Sequence, residues 1–499
     1  MADDTFRPVI LGDKFVRKNL IATLRFWVLA VTSLPFVGCA GSTHVTPQPA
    51  PLSADNVNLV FVVSEDLAYH APGDVDPNTA NLTNQGLERS LLMGAYLRQQ
   101  VLGGADVTAI YGLEAMTHLQ APGQYPDVNG LETIEQFAML SQITIPDQGE
   151  LVTANSFPIY DSYASGSLPA NVAQPVFTCS VCQGLDFADE NSDNEALVEQ
   201  ILQNNVPGFY IFSAPWETAA ALMTNINKLG NYGLAVPADY AGPNYIYAIS
   251  IASGGASLIT YNSNSTPSSA YPVLSPLSNF QEPCNATHFN IAVTAGADGA
   301  VLPSGINTNE TIYFIRHAEA HPAPGWDDGN YIAAGQWRAL YLPEALAGKI
   351  HPTQVYSIDP ADIPGTPSAG AVPSSYVRPA LTVEPYAIAD HLPLNLAAST
   401  PVFAQNPPQL ATDVSNYFFT GGQFSNQTLL VAWEHNHIPT TVNALLASYN
   451  SAQTAPSWPS ADYDTIWTIK LDFQGNLTVD NNLCEGINSD LLPAAAPSF

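Results

Sequence analysis

Arg316 and His317 follow directly on an apolar run, Thr311 to Ile315, and are followed by Ala318 and Glu319. A run of that length and character reads as a buried strand, and in open parallel sheets ligands bind beyond the carboxyl ends of the strands. The pair therefore stands where a reactive pair belongs. A guanidinium grips an oxyanion through a bidentate fork, and a neutral imidazole can attack as a nucleophile. Beyond Arg98 the chain has only three arginines, Arg316, Arg338 and Arg378, against 44 acidic residues overall. Cations are scarce here, so their positions carry information.

The elements that must hold these residues occur in the same order twice. The strand-like run Asn58 to Val63 returns at Thr311 to Ile315, and a Gly-x-x-Arg helix start follows each, at Gly86 to Arg89 and Gly335 to Arg338. Apolar residues at helical spacing make both helices amphipathic. Short strands Val107 to Tyr111 and Thr353 to Tyr356 come next. Further on, Phe209 to Phe212 matches Leu429 to Ala432 and Tyr245 to Ile249 matches Thr465 to Ile469, both pairs 220 residues apart. This reads as an internal duplication, residues 56–290 and 305–490, each copy a three-layer α/β/α structure with a mainly parallel sheet. The alignment puts Ser64-Glu65 in the place of Arg316-His317, and Pro215 in the place of His435. A carboxylate there repels an anion, so the first copy reads as degenerate and structural, with a site for some other ligand as the alternative.

Composition narrows the class. The 499 residues carry 13 basic side chains and a formal charge of -31, which excludes a nucleic-acid partner. After the N-terminal region there is no apolar run long enough to span a bilayer. Five of the basic residues precede residue 26, an apolar stretch runs from Phe26 to Val37, and small residues flank Cys39. Residues 1–39 therefore read as an export signal whose Val-Gly-Cys ending resembles a lipobox, with Cys39 lipidated and membrane-anchored in a bacterial cell envelope. Residues 40–55 are Pro-rich, as a tether is. Cys179, Cys182, Cys284 and Cys484 then remain for structural disulfides of undetermined connectivity, and the single Cys-x-x-Cys is a poor zinc site.

The motifs taken in order resemble the signature of the histidine phosphatase superfamily, the phosphoglycerate mutase-like and acid phosphatase-like enzymes. Strand-Arg316-His317-Ala-Glu, Gly335-x-x-Arg338, Val355-Tyr-Ser357, Arg378-Pro-Ala-Leu-Thr382 and Leu429 to His435 cover most of residues 305–490. The resemblance implies that His317 is the nucleophile and that Arg316, Arg378 and His435 stabilise the phosphoryl group. It implies neither cofactor nor metal. Arg338, on a helix, reads instead as an ion-pairing residue. Where the acid phosphatase branch has Asp after its second histidine this chain has Asn436, so the general acid is unassigned, with Glu434 and Asp413 as candidates and Glu384 and Asp390 in the same interval. His437 is a neighbour of the site.

The expectation is an exported phosphomonoesterase that hydrolyses small phosphate monoesters through a phosphohistidine. The alternative is a binding or scaffold lipoprotein that kept the fold; mutase activity ranks below both. Few cations and an acidic surface favour single-phosphate esters over phytate or polyphosphate.

Overall fold

The computed structural model describes residues 48–499 apart from 142, 148–149, 155, 163–183, 275–286, 322–327, 362–373 and 398–406. The leader with Cys39, the Cys179 and Cys182 pair and Cys284 lie outside these residues; Cys484 is disulfide-bonded. No described helix is long and apolar enough to cross a membrane.

The strands are β1 (Val57–Val63), β2 (Ala109–Gly112), β3 (Leu119–Gln120), β4 (Tyr125–Pro126), β5 (Ile143–Asp147), β6 (Glu150–Ala154), β7 (Ile159–Tyr160), β8 (Gly208–Ala214), β9 (Tyr245–Ala252) and β10 (Gly255–Asn262), then β11 (Asn290–Val293), β12 (Glu310–Arg316), β13 (Gln354–Ser357), β14 (Leu394–Leu396), β15 (Thr428–Trp433), β16 (Thr465–Leu471) and β17 (Leu477–Cys484). The helices are α1 (Asn84–Tyr96), α2 (Asn129–Leu140), α3 (Asp193–Asn204), α4 (Trp216–Gly230), α5 (Ala333–Leu346), α6 (Arg378–Ala389), α7 (Pro407–Phe419) and α8 (His437–Ser448).

Two sheets result, ordered β10-β9-β1-β8-β2-β7 and β11-β17-β16-β12-β15-β13-β14. In the first, β1, β8, β2 and β7 are parallel and β9 and β10 add an antiparallel edge. In the second, β12, β15, β13 and β14 are parallel and β16, β17 and β11 are antiparallel. The sheets are thus mixed, with a parallel part in each. Every residue of β1 is buried, as a central strand covered on both faces requires.

The ladders give each sheet a central strand flanked by one parallel and one antiparallel neighbour. Phe61 pairs with Phe212 and Tyr247, and Phe314 pairs with Val431 and Trp467. Three residues on, Ser64 N donates to Ala214 O (3.0 Å) as His317 N donates to Trp433 O (2.8 Å). By this bond Ser64 holds in the first sheet the ladder place that His317 holds in the second, and Val63 the place before it, whereas the sequence alignment set Ser64-Glu65 against Arg316-His317. Side chains alternate along a strand, so a slip of one residue exchanges its two faces, and apolar runs alone do not reveal it.

The two halves are not separate bodies: residues 48–499 form one compact unit. Leu87, Leu91 and Val128 share a core with Trp337, Leu340 and Val383, and a second core joins Leu131 and Phe137 to Tyr331, Val377 and Leu381. The helices α1, α2, α5 and α6 thus lie between the sheets, while α3 and α4 cover the far face of the first and α7 and α8 that of the second. From Gln48 on, the stretch read as a tether is packed on the body: Leu52 is buried and Ala50 O accepts from the Tyr261 hydroxyl (2.8 Å).

Candidate active site

β12 ends on Arg316, and His317 comes next, beside the end of the parallel strand β15. Both side chains are buried, His317 being 3% exposed and Arg316 5%. His317 Nδ1 lies 2.8 Å from Ala318 O, which assigns the proton to Nδ1 and leaves Nε2 with a lone pair. Burial first, then the charges of Arg378 and Arg316, hold the His317 pKa well below the ordinary histidine value. The imidazole is consequently neutral across the physiological range, the form a nucleophile needs.

Arg316 lies flat over the Tyr463 ring, 3.7 Å from its centroid, and donates through Nη1 to the carbonyls of Ser460 (2.5 Å) and Asp462 (3.3 Å). Its Nε is buried without a hydrogen-bond partner among the described residues. Burial, and to a lesser degree Arg378, pull its pKa below the usual guanidinium value. Arg378 opens α6, is 6% exposed, sits 4.5 Å from the Tyr376 ring centroid and donates to Asn330 O (3.3 Å). The backbone leading into it is held closely. Gly329, at φ +73°, accepts at its O from Arg378 N (3.1 Å), and a Cβ there would stand 1.7 Å from Ser375 O. Only glycine fits that approach. Ser375 Oγ in turn accepts from the amides of Asp161 (2.9 Å) and Ser162 (3.0 Å). The first half therefore anchors the segment that carries the second arginine.

His435 comes two residues after β15, with its side chain 16% exposed and Nδ1 2.6 Å from Glu434 Oε1. Glu434 Oε2 lies 2.8 Å from His437 Nδ1, and the carboxylate also accepts from Asn436 N (2.8 Å) and Asn436 Nδ2 (2.8 Å). Burial alone would raise its pKa, but hydrogen bonds from His435 and His437 hold it well below the usual carboxylate range. Glu434 is therefore an ionised organiser of the turn into α8, and a carboxyl that stays ionised is no proton donor. The other candidate, Asp413, is exposed on α7, whose buried positions include Leu410, Val414 and Phe418. Asp390 caps the far end of α6 from Arg378. Glu384 is buried between the sheets, where burial and then Glu132, Asp127 and Glu135 push it well above its ordinary value.

Arg338 has the structural role its helical position suggested. It is fully buried, donates to Glu319 through Nε (2.9 Å) and Nη2 (2.7 Å) and to Glu485 through Nη1, and also reaches Ile487 O (3.1 Å). Tyr376 and Tyr463, which flank His317 at centroid distances of 6.0 and 6.3 Å, carry no motif of their own in the sequence. Tyr376 stands two residues before Arg378, and that proximity was its one available signal.

No family model and no curated protein matches the chain. Among solved structures it is similar to a phosphoglycerate mutase from Plasmodium falciparum, with 14% identity and a TM-score of 0.23, over 39% of this chain and 99% of the other. It is also similar to a phosphoserine phosphatase mutant from Entamoeba histolytica in complex with phosphoserine, with 13% identity and a TM-score of 0.19, over 36% and 98%. Likenesses this distant assign no role to any residue of this chain.

Proposed function

We propose that the chain is an exported phosphomonoesterase that hydrolyses small phosphate monoesters through a phosphohistidine on His317. The observation that carries the reading is a buried, neutral imidazole with a free Nε2, acted on by two buried guanidinium groups. Such a site is electrostatically incomplete without an anion, and Arg316 Nε is a donor waiting for one. A phosphate monoester supplies equatorial oxygens for the two forks while Nε2 attacks phosphorus and the alcohol departs. Water then attacks the phosphohistidine, releasing phosphate and restoring the imidazole. His435, its Nδ1 2.6 Å from an ionised Glu434, is the group next to the site suited to hand the leaving oxygen its proton.

The test is acid-quenched enzyme given labelled p-nitrophenyl phosphate, which should carry label on His317 and lose it in His317→Ala. Label on another residue overturns the assignment. One observation favours the second reading, a phosphate-binding protein without turnover: Glu434, the carboxylate nearest the pair, is held ionised by its two histidines. Binding of phosphate by a wild type that shows no turnover would establish it. The reading further includes descent of the two halves from a duplicated unit, the first kept as a platform, and lipid anchoring through Cys39 after export.

A further inference from the structure

At the carboxyl edge of the first parallel strands, where the second half has its arginines, the first half gathers Asp66, His118 and Asp127. Asp66 follows β1, His118 follows the turn beyond β2, and Asp127 directly precedes α2. Their ligand atoms all lie within 4.8 Å of one another. His118 Nδ1 is 2.8 Å from Asp127 Oδ2 and 3.6 Å from Asp66 Oδ2. Tetrahedral zinc with bonds near 2.05 Å spaces its ligands about 3.3 Å apart, between those two values.

The groups are oriented as ligands are. One oxygen of each carboxylate is fixed by a backbone amide, Asp66 Oδ1 by Ala68 N (2.6 Å) and Asp127 Oδ1 by Asn129 N (3.2 Å), and the other oxygen of each faces His118. The imidazole is stacked on Phe187 at 3.7 Å and 1°, which sets its plane. Supporting contacts of this kind fix ligand geometry before a metal arrives.

A separate observation asks for a cation. Asp66 is 2% exposed, and its Oδ2 accepts no hydrogen bond among the described residues; it stands at ion-pair distance, 3.6 Å, from His118 Nδ1. Glu217, on α4, acts on His118 through its charge, and its Oε2 is buried without a hydrogen-bond partner among the described residues. His118, with its side chain 17% exposed, leaves a route in.

We infer that Asp66, His118 and Asp127 form a binding site for a divalent first-row transition ion, of which zinc is the representative. One imidazole and two carboxylates suit zinc or manganese, and a fourth position stays open for water.

Full-length protein stripped with chelator and titrated calorimetrically with zinc chloride should take up the ion saturably and gain thermal stability. Asp66→Asn and His118→Ala should each weaken uptake at least tenfold, with circular dichroism unchanged. Zinc X-ray absorption of the wild type gives a readout independent of the variants: one imidazole with oxygen ligands supports the site. Two imidazoles would put the ion on His435 and His437 instead and overturn the inference. So would absence of uptake, or variants that bind as the wild type does.

Discussion

The two strand-end crevices share a backbone and differ in the sign of their charge. In the second half, β12 delivers Arg316 and His317 and α6 opens on Arg378. In the first, the same ladder positions hold Val63 and Ser64, and α2 opens on Asn129, which uses its side chain to bind the carbonyls of Glu65 (3.2 Å) and Ala80 (3.0 Å). Around it stand Asp66, Asp127 and Glu217 in place of cations. A parallel sheet edge with helices starting beside it specifies where a ligand sits, and the side chains grafted there decide which ligand. The first half has another duty as well, since its Asp161 and Ser162 amides hold Ser375 and with it the approach to Arg378.

The largest effect that can test this contrast is His317→Ala, which should reduce turnover by a factor on the order of 10^4 or more, with folding intact by circular dichroism. Ser64→Ala, at the equivalent position of the first half, should leave kcat within about twofold in the same assay. Equal losses would mean that the two crevices are not specialised in the way proposed.

Next come the arginines, which divide between stability and catalysis. Arg338 is bound by two buried carboxylates, and breaking a buried pair costs about 3–5 kcal/mol when a partner is lost outright. Arg338→Lys should therefore lower the melting temperature by several degrees and spare kcat/KM. Arg378→Lys should do the reverse, lowering kcat/KM tenfold or more, since a charged hydrogen bond is worth about 1.5–3 kcal/mol. Denaturation curves and steady-state kinetics on both proteins separate the roles.

The seam between the halves makes a third test. Glu132, Glu135 and Glu384 are fully buried there, and burial pushes Glu132 up to about 8 from 4.5 and the other two well upward. A raised folded-state pKa means that the folded protein holds protons the unfolded chain releases, so the contribution to stability is present below pH 4.5 and is lost on the alkaline side, that of Glu132 as pH rises through about 8. Melting temperature should fall across that window, and Glu384→Gln should flatten the slope. A flat wild-type profile would show that the seam does not hold protonated carboxyls.

A smaller effect concerns the nucleophile itself. After burial, Arg378 is the first of the charges that depress His317, so Arg378→Met should shift the acidic limb of kcat/KM toward higher pH. The smallest concerns substrates. Between phytate and a simple monophosphate, the monophosphate should be preferred, and added salt should narrow the gap by screening the acidic surface. Kinetics on both esters at two ionic strengths decide it.

Sequence alone determined what local pattern can carry. Apolar runs of strand length marked β1, β12, β8, β15, β9 and β16; the position of Arg316-His317 at a strand end marked a site; and a scarcity of cations singled out Arg316 and Arg378. Those signals are local because a buried strand or an amphipathic helix records its own burial in its own residues. Only the tertiary structure decided the rest. The register between β1 and β8, the placing of Arg316 over Tyr463, the contacts of His435 and His437 with Glu434, and the meeting of Asp66 with His118 and Asp127 were not legible in any local run of residues. A strand's pattern gives its periodicity but not its partner's offset, and burial, which shifts a carboxyl or an imidazole, exists only once the sheets and helices have closed around it.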